Sequence, residues 1–171
     1  MMVNKMNDAY MEYMVKKKKT GKDWALRIFF ILLCVLGFAT IPFLGMLGLV
    51  IAVIFIALTV SVIFPMTDLE YEYLYLDKQI TVDKIMAQSK RKQVAVYDLE
   101  RIEIIAPMDS YHLDAYKGRN VTVSEYWSME KDGEQKPFVI FYEGNQKIVL
   151  DLPIEFVKMI QNNAPRKVFL D

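Results

Sequence analysis

Polar and apolar positions change rhythm along this chain. From Trp24 to Phe64 it reads WALRIFFILLCVLGFATIPFLGMLGLVIAVIFIALTVSVIF, with Arg27 as the single charge. A helix needs about 20 apolar residues to cross a hydrocarbon layer about 30 Å thick, and this run is about twice that length. It predicts two spans, residues 23–41 and 44–64, joined through Ile41-Pro42-Phe43-Leu44-Gly45. In lipid every backbone polar group must be satisfied within its own segment, which selects a helical hairpin. Asp23 is the expected N-cap of the first span, with Thr20 and Gly21 ending any helix before it. Further upstream, Val3, Met6, Tyr10, Tyr13 and Met14 recur at helical spacing. They predict a short amphipathic helix within residues 1–15, lying on the membrane surface.

After Pro65 the period falls to two. Tyr71, Tyr73 and Tyr75 share one face of an extended segment, while Glu70, Glu72, Leu74 and Leu76 share the other. Strands are expected at residues 69–76, 80–86, 93–97, 101–105, 120–129, 137–142 and 146–152. Turns fall at Asp77-Lys78-Gln79 and Glu143-Gly144-Asn145, a longer irregular loop at 107–119, and a polar turn at 130–136 around Gly133. The first four strands, with their short turns, read as an antiparallel meander. Pro153 suits the first turn of a closing helix, Glu155 favours its amino end, and Ile154, Phe156, Val157 and Ile160 form its apolar stripe. That helix should stop near Asn162-Asn163, before Ala164-Pro165. The parts are then an N-terminal segment (1–22), a two-helix hairpin (23–65) and one mostly-β domain (66–171).

Charge adds orientation to this picture. The 21 basic and 21 acidic residues cancel overall, but the six lysines before Trp24 face three acids, and from Met66 onward 14 basic residues face 18 acidic ones. Lys16, Lys17, Lys18, Lys19 and Lys22 stand beside the first span, and such an excess is retained in the cytoplasm. Both ends are therefore expected inside a cell membrane crossed twice. A cleaved signal peptide is not expected, because the second apolar run follows at once and no A-x-A site separates the two. Arg27 lies about one turn inside the span and can snorkel to the lysine-rich interface. Gly37, Gly45 and Gly48 would let helices approach, although no strict G-x-x-x-G spacing is present. A basic stripe across the folded domain is missing, so nucleic acid is not an expected partner. The one cysteine, Cys34, falls in mid-span and cannot form an internal disulfide, which suits a reducing cytoplasm.

Candidate chemistry is sparse. His112 is the sole histidine and has no nucleophile motif beside it. One histidine and one membrane-buried cysteine leave only scattered acids for a metal, so no metal or other cofactor is expected. Asp98, Glu100 and Glu103 read as the exposed acids of a strand and its turn. Gly118, Gly133 and Gly144 are isolated and make no phosphate loop. Lys90, Arg91 and Lys92 form the one basic cluster of the domain, at the expected turn between its second and third strands. They are the candidate ligand or headgroup contacts, set against the plain alternative of a solvated turn.

The order of seven strands and a closing helix resembles a pleckstrin-homology-like (PH-like) barrel, in which two sheets pack face to face and the helix plugs one end. Residues Tyr73 to Ala106, YLYLDKQITVDKIMAQSKRKQVAVYDLERIEIIA, look like the opening strands of bacterial membrane-attached PH-like domains. NDAYMEYMVKKKKTGKD, the two-span hairpin, YEYLY, YDLERIEIIAP and NNAPRKV together are similar to an uncharacterised bacterial family of small two-span membrane proteins with a PH-like cytoplasmic domain. That resemblance implies a place and a fold, and no activity. The expected function is a non-enzymatic, membrane-anchored binding or scaffold module whose partners are the lipid bilayer and a membrane or cytoplasmic protein. The alternatives are an accessory subunit of a larger membrane complex and an enzyme with an unrecognised site. Oligomeric state is not legible in the sequence.

Overall fold

The computed structural model describes residues 10–88, 90–130 and 136–171, arranged as two compact units. One, Lys18–Glu70 with the end of β3, is helical. Thr20 caps α1 (Gly21–Ala39): Asp23 N–H donates to Thr20 Oγ1 at 3.4 Å, and Asp23 Oδ2 accepts from Thr20 N–H at 2.8 Å. This reciprocal capping box corrects the expectation that Asp23 is itself the cap. Asp23 is the third helical residue, where a carboxylate also complements the helix dipole. The expected connection at 41–45 is mostly helical as well. Ile41–Leu44 forms one turn (α2) with Pro42 in its first positions, and only Gly45, at φ 56° and ψ −123°, leaves helical space. α3 (Met46–Leu58) continues through a wide π turn (Thr59–Ile63) into α4 (Phe64–Thr67). A proline clashes with the carbonyl four residues before it, and a π turn immediately ahead of Pro65 relieves that clash, so the helix runs past the expected stop.

Gly21–Leu44 and Met46–Thr67 are each long and apolar enough to cross a membrane. They pack closely. A Cβ on Gly48 would stand 2.8 Å from the Ile41 backbone, and one on Gly37 3.2 Å from Ala52 Cα. Polar groups inside the pair are matched: Arg27 Nε donates to Thr67 Oγ1 at 2.5 Å with its guanidinium over Phe64, and Thr59 Oγ1 donates to the Phe55 carbonyl at 2.7 Å. The outward surface is bare hydrocarbon, with Phe43 88% and Met46 84% exposed.

The other unit holds two four-stranded sheets. β1 (Tyr10–Lys16), β2 (Leu69–Leu76), β3 (Gln79–Met86) and β4 (Lys90–Asp98) lie in sequence order. β5 (Ile102–Pro107), β6 (Thr122–Glu125), β7 (Pro137–Tyr142) and β8 (Gln146–Asp151) lie in the order β5-β7-β8-β6. Three expectations need correction. The surface helix expected within residues 1–15 is a strand over its described part. Met11, Tyr13 and Val15 alternate inward onto the core, so the period is two, and pairing beside β2 decides it; positions 1–9 lie outside the described residues. Among the described residues there are eight strands in two open sheets where a seven-stranded barrel was expected. The expected four-strand meander stops at β4, because the fourth expected strand, 101–105, becomes β5 of the other sheet and pairs with β7, and the fifth, 120–129, shrinks to the four residues of β6 and runs parallel to β8.

The helical unit is thus an insertion between neighbouring strands of one sheet, since β1 precedes it and β2 follows it. Lys19 Nζ, 3.4 Å from Asp68 Oδ1, ties the two stems of the insertion together.

The core forms where the expected apolar faces meet. Tyr71, Tyr73 and Tyr75 are 5%, 0% and 2% exposed and pack with Ile80, Ile105, Ile140 and Leu150. Helix α5 (Ile154–Asn163) closes this core with Phe156, Val157 and Ile160. A second cluster, including Ile104, Leu113, Trp127, Val139 and Phe141, covers the opposite face of the β5–β8 sheet. Every residue of β7 is buried, which explains its unbroken apolar run PFVIFY.

Candidate functional site

Two polar features mark the β unit. The first crosses β2, β3 and β4 on the face away from the tyrosines. Arg91 Nε donates to Asp83 Oδ2 at 2.7 Å, and its Nη2 meets Glu72 Oε2. Glu72 is buried at 3% exposure although strand alternation puts it on the outer face. A carboxylate tolerates that only with a cation against it, and Arg91 supplies one. Burial also pushes the Asp83 carboxyl above the usual carboxylate range. Of the three residues singled out by sequence, Arg91 is therefore committed to internal ion pairs. Lys90 and Lys92 are exposed and alternate with it along β4. All three stand on the strand itself, beyond the expected turn. Of the stem lysines, Lys16 ends β1, Lys17, Lys18 and Lys19 form the connection, and Lys22 lies in the first turn of α1.

The second feature is a groove of about 400 Å³ where the β2–β3 turn, the β4–β5 turn and the segment after α5 converge. Its lining is Lys78, Leu99, Glu100, Asn163, Ala164, Pro165, Arg166 and Lys167. Asp77 and Lys78 both have positive φ, 48° and 62°, the signature of a type I′ hairpin turn. Leu99 N–H donates to the Lys78 carbonyl at 2.9 Å and joins the two turns. Lys167 Nζ donates to the carbonyls of Leu99 and Glu100 at 3.1 and 2.7 Å, and Asn163 Nδ2 donates to Tyr75 Oη at 2.9 Å. Lys78 and Arg166 are exposed and face no acidic partner among the described residues. Three cations and one acid, Glu100, therefore line the groove. Nothing in the local sequence announces this grouping, because Lys78 comes from a turn far in the chain from Arg166 and Lys167.

A sequence model described as Bacterial PH-like domain (DUF6106) matches residues 7–170. The chain belongs to this family. The matched range runs from just before β1, through the helical insertion, to the end of the β unit, so the family includes the insertion as well as the sheets. No curated protein matches the chain.

Two further polar groups of the PH-like domain are structural in their surroundings. Asp151, 1% exposed, accepts from Ser128 N–H at 2.7 Å; Tyr73 donates its hydroxyl proton to the Tyr126 carbonyl and accepts from Asp151 N–H at 3.4 Å. Together they pin the 126–128 segment after β6 to the end of β8. Burial raises the Asp151 carboxyl, with the Ser128 hydrogen bonds pulling the other way, and burial raises the Tyr73 phenol strongly. His112, within the irregular loop expected at 107–119, is half-buried in the 3₁₀ segment Tyr111–Tyr116. Its ring stacks on Phe169 at 3.8 Å, and its Nε2 is 3.3 Å from Asp171 Oδ2. Phe169 N–H donates to the Ile105 carbonyl and Ile105 N–H to the Lys167 carbonyl, both at 2.8 Å, so the terminal segment runs along the free edge of β5. Among the described residues no group of three or more His, Cys, Asp or Glu side chains is placed to hold a metal.

Proposed function

We propose that this is a two-span protein of the bacterial cell membrane whose PH-like domain lies in the cytoplasm and serves as a non-enzymatic binding or scaffold module. One observation carries the reading: the paired helices bury glycine, alanine and threonine against each other and turn their large apolar side chains outward. A contiguous apolar surface of that extent is stable in lipid and not in water. The orientation rests on the lysines. Cations at the amino end of α1 oppose the helix dipole, so helix stability does not account for Lys22 and its neighbours, whereas retention on the cytoplasmic side does. An even number of spans inserted between adjacent strands leaves both flanking segments on one side.

The test has two arms. Carbonate washing of membranes should leave the full chain in the pellet. A cysteine at exposed Lys158, introduced in a Cys34→Ala background, should resist an impermeant thiol reagent on intact cells and react after lysis. Release by carbonate sinks the membrane reading, and labelling from outside inverts the topology. Exchange of the hairpin for an unrelated two-span anchor then separates the module from an accessory subunit, since a module keeps its partners and a subunit held by its helices loses them.

A further inference from the structure

We propose that the groove between the two turns and the end of α5 docks an acidic segment of a partner protein, one carrying an apolar residue beside its carboxylates. This rests on the binding-module reading and names the chemistry of the partner. The cations of the groove keep donors for a ligand. Lys78 and Arg166 have no acidic partner among the described residues, and Lys167 spends two of its three donors on backbone carbonyls and keeps one. Lys78 also holds a backbone conformation, φ 62°, that glycine or asparagine adopts more cheaply, by about 1 kcal/mol. The turn itself gives no reason for a lysine there.

The groove is a basic spot on a domain whose residues from Met66 onward carry four more acids than bases, so it attracts acidic ligands against the field around it. Its lining also includes apolar surface, from Leu99, Ala164 and Pro165. The two carbonyl bonds to Lys167 hold one charge in place before binding, which lowers the ordering cost. A compact phosphate is the poorer fit. Asn163, the last residue of α5, lines the groove, so it is a helix carboxyl end with its partial negative charge that faces the ligand, and no amino end or glycine-rich loop is there. Side-chain carboxylates spaced along an extended segment can meet the separate cations and avoid that end.

The experiment uses the full chain in phosphatidylcholine nanodiscs and a fluorescein-labelled peptide of alternating Asp and Glu around one Leu. Binding should weaken with salt, as expected where exposed charges set the association. It should fall at least tenfold in the Lys78→Glu, Arg166→Glu double variant and stay unchanged in Lys90→Gln, Lys92→Gln. A thermal melt of the double variant matching wild type shows that the fold is intact. Undiminished binding in the double variant overturns the proposal, and so does the absence of peptide binding. Pyrophosphate or phosphatidylglycerol vesicles bound through Lys78 and Arg166 in the peptide's place overturn it in favour of a phosphate-bearing ligand, soluble or lipid. A chain that stays in the membrane but binds no peptide fails this proposal alone, whereas carbonate release fails the membrane reading whatever the peptide does.

Discussion

At the scale of single residues, a buried carboxylate shows how local pattern and tertiary position part company. Asp151 ends β8 between Leu150 and Leu152, where strand alternation turns it to the face opposite those leucines, yet it is buried and holds Ser128. Burial lifts its proton affinity in the folded state above that in the unfolded chain. The folded state therefore binds the proton more tightly, and this group's contribution to stability falls as pH rises from the ordinary carboxylate range through its raised folded value. Asp151→Asn keeps an acceptor for Ser128 N–H and removes the titration. The expected result is a flatter dependence of melting temperature on pH between about 4 and 7 than in wild type, with Asp83, also raised by burial, accounting for part of the slope that remains. Identical slopes in the two proteins would show that Asp151 is not the group responsible.

At the scale of elements, the helical pair depends on small residues that no motif announces. Gly37, Gly45 and Gly48 do not make a G-x-x-x-G repeat, but Gly48 and Gly37 sit where the two helices approach. The atoms a Cβ would meet at Gly48 are backbone atoms of Ile41 and Thr40, which cannot swing aside. Gly48→Ala should destabilise the pair by about 1–3 kcal/mol, the usual cost of overpacking. Gly37→Ala, whose nearest contact is 3.2 Å, should cost less. Unfolding in mild detergent, followed by disulfide trapping between cysteines placed on α1 and α3, measures both, and equal stability of the two variants would count against this packing. The small-residue face is spent inside the hairpin, so that face is not free for association through G-x-x-x-G packing.

At the scale of the whole molecule, the sheet is continuous in space while the chain is interrupted. β1 neighbours β2, and the helical insertion between them behaves as a very long hairpin connection whose stems are tied at Lys19 and Asp68. Replacing residues 18–68 with a short Gly/Asn turn should therefore yield a soluble domain that unfolds cooperatively. Removing residues 1–17 as well should lower its melting point by several degrees, because Met11, Tyr13 and Val15 leave the core. Equal melting points would mean that β1 is peripheral. The result bears on function too, since a domain that folds without its anchor can be assayed for the groove ligand in solution.

The pattern of apolar residues alone determined the two long helices, the row of core tyrosines on β2, the β7–β8 hairpin and the closing helix, because each buries a face whose period is written locally. Only tertiary structure decided the rest. Residues 10–16 carry spacings compatible with helix or strand, and the free edge of β2 selects the strand. Lys90, Arg91 and Lys92 look alike in sequence, and only the carboxylates of Glu72 and Asp83 on neighbouring strands separate Arg91 from the other two. Lys78, Arg166 and Lys167 become one groove through two turns and a helix end that meet in space, and contacts between distant turns leave no periodic trace in the chain.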